Sequence, residues 1–336
     1  MQVTSFDTGD NRGQQEHVMD RFETGCGDSV NASLDRGGGL IPDSDGVPAF
    51  TLRKRRPMPL PILVAVPHAG RHYTADLTAR LRHPREAALR LEDRYVDLIA
   101  ERVAKETGAA LLLARAPRAM IDLNRSPDDV DWQMVHGGKP GTRSRMAAGR
   151  RARSGLGLVP RRLPGLGELW SEQMSRADLD QRIEMVHQPY HVALAKTLEG
   201  MRDRWGAALL IDMHSMPPLG VKSGPDAAAD FVIGDRFGAA CTARLIAASF
   251  DHLEASGAVS AHNRPYAGGY VLDRHGAPFR RISAMQLEIC RAAYLDPKLR
   301  EPGDGLDRIA GIVTGMVRRL ADELAGQAGD FLQAAE

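Results

Sequence analysis

Three short apolar runs constrain this chain most: Ile62 to Val66, Ala207 to Ile211, and Ile282 to Ile289. Each has the length and content of a buried strand, and each meets polar residues at or near its end. The first leads into Pro67-His68-Ala69-Gly70 and the second into Asp212-Met213-His214-Ser215-Met216-Pro217, while the third carries Glu288 between Leu287 and Ile289. Helical stretches are interleaved with them: Glu92 to Thr107 stopped by Gly108, Arg176 to Arg204 interrupted at Pro189, Phe237 to Ser256, and Leu306 to Ala325. A further strand, Ala110 to Ala114, and the segment Ala119 to Leu123 complete the alternation. Such interleaving specifies an α/β layered domain, because each helix stripe must be buried against a sheet face.

The 336 residues, 43% of them hydrophobic, suffice for a substantial core. Residues 1–45 are rich in Gly, Asp, Ser, Asn and Gln, so they are expected to form a disordered tail ahead of a single domain at 46–330. Lysine plus arginine (44) balance aspartate plus glutamate (43), which points to a small-molecule partner rather than nucleic acid or a membrane surface. Cys26, Cys241 and Cys290 have no paired spacing, which argues against a disulfide framework or a cysteine zinc module and for a reducing, cytoplasmic setting. No run approaches the roughly 20 apolar residues of a membrane helix. The long piece Val130 to Gly167 contains Arg143, Arg145, Arg150, Arg151, Arg153, Arg161 and Arg162. It reads as a solvated loop, with a lid over an anionic substrate as the alternative.

A catalytic zinc takes three nitrogen or oxygen ligands from the protein and keeps one position open. His68 and His214, leaving two strand ends in the same way, fill two places. For the third, the pair Glu92-Asp93 at the start of a predicted helix is best placed, with Asp97 one turn further. Asp212 can orient the His214 imidazole, but only if the strand continues far enough to keep both on one face. Glu288 fits a general base; an ion pair with Arg281 or Arg291 is the plainer reading, since a buried carboxylate is costly unless paired or functional. Asp122, Asn124 and Arg125 also fit an Asx-type turn ahead of Pro127. Ser215 as a nucleophile fails because no Gly-x-Ser-x-Gly elbow is present. Cys290 is expected on the strand face opposite Glu288.

Five segments, Pro67 to Gly70, Ile121 to Arg125, Asp212 to Ser215, Asn263 to Gly269 and Met285 to Ile289, together resemble the N-formylglutamate amidohydrolase family in content and order. The resemblance spans about 60 to 295 and extends to the related zinc carboxypeptidases. It implies a three-layer α/β/α fold with a central mixed sheet, zinc-carboxypeptidase-like. Carboxypeptidases carry a glutamate ligand three residues after the first histidine, where this chain has Arg71, so the resemblance favours Asp93 over Glu92 as the third ligand. His72 is the alternative. One Zn2+ per chain, held by His68, Asp93 and His214, would bring the pKa of bound water toward about 7, with Glu288 accepting its proton. The resemblance further implies an N-acyl amino acid substrate such as N-formyl-L-glutamate. Arg118 and Arg125, with Asn124 beside them, would bind its carboxylates, with Arg264 and Arg274 weaker candidates. Gly268-Gly269 would let backbone approach the substrate. Another zinc deacylase, a small carboxypeptidase and a noncatalytic anion-binding relative remain open on these residues.

Overall fold

The computed structural model describes residues 33–137, 150–220 and 229–333. Its elements, in chain order, are β1 (Ser33–Gly38), β2 (Phe50–Arg55), β3 (Ile62–Val66), α1 (Ala75–Arg80), α2 (Pro84–Leu91), α3 (Val96–Thr107) and β4 (Ala110–Ala114). Next come α4 (Arg150–Arg153), a small hairpin of β5 (Arg162–Leu163) and β6 (Gly167–Glu168), α5 (Arg176–Arg182), α6 (Gln188–Trp205) and β7 (Ala208–Met216). Then follow β8 (Phe231–Gly234), α7 (Ala243–Ala255), β9 (Ser260–His262), α8 (Tyr270–His275), β10 (Ile282–Cys290) and α9 (Leu306–Gln333).

Eight strands form one mixed sheet in the order β1-β2-β4-β3-β7-β10-β8-β9. The central four, β4, β3, β7 and β10, run parallel, and β2 and β8 flank them antiparallel. Strands covered on both faces have no solvent side to fill, which is why β3, β7 and β10 are buried at every position. One face, with Leu63, Leu112, Leu210 and Ala284, packs under α6 through Leu194, Leu198 and Met201. The other, with Val64, Leu111, Ile211 and Met285, packs on α3, α7 and α9 through Ile99, Leu245 and Val313. Each such fully buried aliphatic side chain contributes about 1.5–3 kcal/mol. The three layers and mixed sheet match the architecture expected.

Several boundaries move for local reasons. Strand β1 pairs along its length with β2, so the sheet begins inside the segment expected to be a tail; residues 1–32 lie outside the described residues. Helix α3 starts at Val96 rather than Glu92 because Tyr95 takes a left-handed backbone (φ 57°), which frees Glu92 and Asp93 to form a turn. Gly108 ends it at φ 81°. Pro189 does not break the helical run, which continues from α5 through the π-helical turn Ile183–His187 into α6; the Met185 carbonyl, to which Pro189 has no N–H to give, accepts from the Leu40 amide at 2.9 Å instead. Arg236 and Phe237 at φ 59° and 56° delay α7 to Ala243.

In its described part the arginine-rich piece leaves Arg151, Arg153 and Arg162 exposed but is tied down by apolar anchors. Ala152, Leu158, Val159 and Leu163 are buried, as are Leu169 and Trp170 just beyond it, and Arg161 binds Asp131 at 2.7 Å and Glu168 at 2.8 Å. Arg143 and Arg145 lie outside the described residues. No described helix is long and apolar enough to cross a membrane.

Candidate active site

Strand β7 runs through Asp212 and His214 to Met216 instead of stopping at Ile211, so these two residues share one face. In the parallel register Asp212 lies opposite Gln286 and His214 opposite Glu288. The apolar rows Ala208, Leu210 and Ile282, Ala284 thus turn polar toward the carboxyl ends of the strands, where open α/β sheets bind ligands. Period two also puts Cys290 on the Glu288 face, not the opposite one; it packs with Met216, Val232 and Ala261 farther along.

His68 follows β3 by two residues, on a segment pressed against the next connection: a Cβ on Gly70 would stand 2.1 Å from the Ala116 carbonyl oxygen. The Asp93 amide donates to the His68 carbonyl at 2.9 Å, which brings the α2–α3 turn over the same strand end. Asp93 Oδ2 lies 3.0 Å from His214 Nδ1 and 3.5 Å from His68 Nδ1, and donor atoms of all three residues fall within 4.8 Å of one another. The other nitrogen of each ring is held by a carboxylate: His68 Nε2 by Asp122 at 2.7 Å, His214 Nε2 by Asp212 at 2.9 Å. Asp122 is fixed in turn by Arg118 at 2.9 Å.

This set fits a divalent cation. His68 Nδ1 is buried without a hydrogen-bond partner and faces the Asp93 oxygen. Two imidazoles with a carboxylate behind each and a third carboxylate between them form a zinc-type donor set. Glu92 is directed elsewhere, paired with Arg94 at 3.0 Å, and Asp97 is taken by Arg71 at 2.6 Å. Neither they nor His72 belong to the group of converging donors.

Burial disfavours every charge here, yet neighbours override it for most. Bonds from His214 and His68 hold Asp93 well below the usual carboxylate range, and the Arg118 charge does the same for Asp122. Asp212 and Asp93 hold the His214 imidazole well above its ordinary value. Carboxylates that retain a proton on an imidazole this strongly also favour a cation. Glu288 goes the other way: burial, opposed by His214 and Arg118 and reinforced by Asp93 and Asp212, pushes it up to about 7.

Glu288 Oε1 accepts from Gln286 Nε2 at 2.7 Å, Gln286 Oε1 accepts from Asn124 at 3.3 Å, and Asn124 Oδ1 accepts from the Val271 amide at 2.9 Å. The close approach at the double glycine serves this chain: a Cβ on Gly269 would stand 2.5 Å from Asn124 Oδ1. His68, Asp93, His214 and Glu288 face a cavity of about 630 Å³ that Arg118, Asn124 and Arg125 also line. Arg118 gives Nε to Asp122, and Arg125 gives Nη1 to the Asn124 carbonyl at 2.7 Å and Nε to that of Leu156 at 3.0 Å. Arg264 is exposed and does not line the cavity, although Pro265 to Gly269 do. Arg274 is also exposed and bonds the Tyr270 hydroxyl.

Gln286, Tyr266 and Arg291 line the cavity without having been given a role in it, and Arg151, from the cluster read alternatively as a lid, lines it too. For Gln286 a signal existed, two residues before Glu288 on one strand face. Arg291 does not pair with Glu288; it reaches Asp93 Oδ1 at 3.3 Å and donates Nε to Ser215 Oγ at 3.0 Å. Arg281 precedes β10 at its other end.

Three relatives resemble the chain over most of its length. N-formylglutamate deformylase of Pseudomonas putida is 28% identical, with 70% of this chain and 82% of the relative covered. That of Pseudomonas aeruginosa is 29% identical, with 70% and 83% covered. The crystal structure of N-formylglutamate amidohydrolase from Ralstonia eutropha JMP134 superposes with a TM-score of 0.75 at 31% identity, covering 82% of this chain and 98% of that one. The family model for N-formylglutamate amidohydrolase matches residues 60–295, a span that holds all the converging donors and Glu288, and the chain belongs to that family.

Proposed function

We propose that this chain hydrolyses the N-formyl amide of N-formyl-L-glutamate, or of a related N-acyl amino acid, to a carboxylate and a free amino acid, with zinc held by His68, Asp93 and His214. The observation that carries the reading is the convergence of those three donors beside Glu288 in a cavity lined by arginines. The names of the relatives from both pseudomonads support the formylated substrate. A cytoplasmic setting suits the free thiols of Cys241 and Cys290.

His68, Asp93 and His214 would hold a divalent cation, which would supply Lewis acidity toward water and the amide carbonyl. Glu288 takes the proton of the attacking water and returns it to the departing nitrogen. An affinity near neutrality suits both transfers, and burial brings Glu288 to about 7. Gln286 fixes one carboxylate oxygen and leaves the other for the proton. Arg118, Asn124 and Arg125 meet the substrate's carboxylates, guanidinium offering paired donors to paired oxygens.

The direct test is release of the free amino acid from N-formyl-L-glutamate beside N-formyl-aspartate, N-acetyl-glutamate and a dipeptide ending in glutamate, with formate as the co-product of the two formyl compounds. The formylated glutamate should have the highest kcat/KM. Preference for the acetyl compound or the dipeptide would shift the reading to a deacylase or carboxypeptidase, and binding without turnover to an anion-binding relative. Arg125→Glu is expected to raise KM by about 30-fold or more, as loss of one partner of a buried charge pair does. An unchanged KM would remove Arg125 from the substrate pocket. Asp122→Asn and Asp212→Asn should each weaken the metal about 10–100-fold, measured by competition with a coloured chelator. Wild-type affinity in both would deny them the orienting role.

A further inference from the structure

Three buried histidines take no part in the chemistry above. His187 ends a single π-helical turn, Ile183–His187, that joins α5 to α6; His191 lies one turn further along α6, and His275 ends α8. Such turns are rare and concentrate near functional sites. The rings form one array: His187 and His191 have centroids 4.4 Å apart, and His191 and His275 stack at 5.3 Å.

Their hydrogen bonds have a direction. His187 Nε2 lies 2.9 Å from the Arg125 carbonyl oxygen and His191 Nε2 lies 3.0 Å from that of Leu123. A carbonyl oxygen only accepts, so both Nε2 atoms carry the hydrogen. That leaves His191 Nδ1 bare to accept from His275 Nε2 at 3.0 Å. Burial keeps all three rings below the ordinary imidazole range, His275 at about 3, so these neutral tautomers persist at physiological pH.

The two carbonyls flank Asn124, whose side chain reaches Gln286 and through it Glu288. We infer that His187 and His191 are positioning residues of the substrate pocket: their N–H groups clamp the backbone on both sides of Asn124 and fix where Asn124 and Arg125 stand relative to Glu288. This inference rests on the reading of the cavity as a hydrolytic site. Asp122, which holds His68, is anchored separately by Arg118 and through its own amide on the Leu158 carbonyl at 2.7 Å. The Asn124 amide also donates to Asp122 Oδ1 at 2.8 Å, but the Arg118 and Leu158 anchors of Asp122 lie outside the clamped peptides, so the clamp acts mainly on the substrate side.

Glutamine carries its amide nitrogen to the reach of Nε2, whereas asparagine carries it only to that of Nδ1. The two substitutions are close in polarity, yet only glutamine meets the carbonyl. His187→Asn and His191→Asn are expected to lower kcat/KM for N-formyl-L-glutamate about 10–100-fold, chiefly through KM, with metal content unchanged and the Gln variants back within about threefold of wild type. Wild-type constants in the Asn variants, equal losses in Asn and Gln, or losses that follow loss of metal would each overturn the inference. Hydrogen–deuterium exchange of segment 121–126 in the same proteins without substrate provides a second readout. Faster exchange in Asn than in Gln variants supports the clamp, and equal exchange removes it. Should wild-type protein release no formate, the functional reading fails and exchange alone decides the clamp. The positions are tested separately, so a variant that does not fold at one leaves the other to decide.

Discussion

Stripping the metal is expected to lower formate release by about 10³-fold or more, because a Lewis acid supplies several kcal/mol of charge stabilisation at the transition state and each 1.36 kcal/mol is tenfold in rate. The guanidinium groups that line the cavity carry positive charge but no open coordination position, so none of them can bind and acidify a water in its place. The fold should survive, because the sheet is held between two apolar layers to which none of the three donors belongs. Dialysis against a chelator, elemental analysis and circular dichroism would follow the loss, and about one equivalent of zinc per chain should restore the rate. Undiminished release from protein shown to contain no metal would sink the metal mechanism and leave Glu288 to act without a Lewis acid.

Glu288→Gln is expected to keep the metal and a KM within a few-fold of wild type while losing about 10²–10⁴-fold in kcat, the range for removing a general base. The substitution keeps the shape of the side chain and removes its ability to take a proton. Wild-type kcat/KM should fall as pH drops through the Glu288 pKa, because the base must be ionised. A dication nearby favours the carboxylate, so that limb lies below the value of about 7 reached through burial without one. Stability carries the opposite sign: a buried acid with a raised pKa disfavours folding increasingly as pH rises from its unfolded value to about 7, and fully above it. Metal-free Glu288→Gln should accordingly unfold at a temperature no lower than metal-free wild type at pH 8. Near-normal turnover in a folded, metal-loaded variant would take the base assignment away from Glu288.

The parts of this site that sequence revealed are those whose placement follows from strand period. Wholly apolar runs such as Ile62 to Val66 have few uses besides a strand covered on both sides, and they placed His68, His214 and Glu288 at neighbouring strand ends. The third donor was different. Asp93 sits in a turn set by the left-handed backbone of Tyr95 and by a bond to the His68 carbonyl, and neither leaves a periodic trace. The residues alone left Glu92, Asp93 and Asp97 open, and family resemblance singled out Asp93. The pairing of Asp122 with His68, 54 residues apart, was equally hidden, because a local turn explains Asp122 as well. Arg264 shows the limit of motif membership. Asn263 exchanges hydrogen bonds with Asp235 at 3.0 and 2.7 Å and Pro265 to Gly269 reach the cavity, while the arginine between them turns to solvent.

Glu288 is paired across the sheet on both sides, with His214 on β7 and Val232 on β8. His68, Asp93 and Asn124 instead ride on the connections that follow β3, α2 and β4. The site therefore joins two mechanical regimes: Glu288 and one imidazole set in a lattice that yields only as a whole, and partners on segments that can be altered one at a time. Loop substitutions in a descendant of this chain could reshape the cavity while leaving Glu288 where it stands, which makes ligand preference a more evolvable property of this architecture than the sheet-borne chemistry.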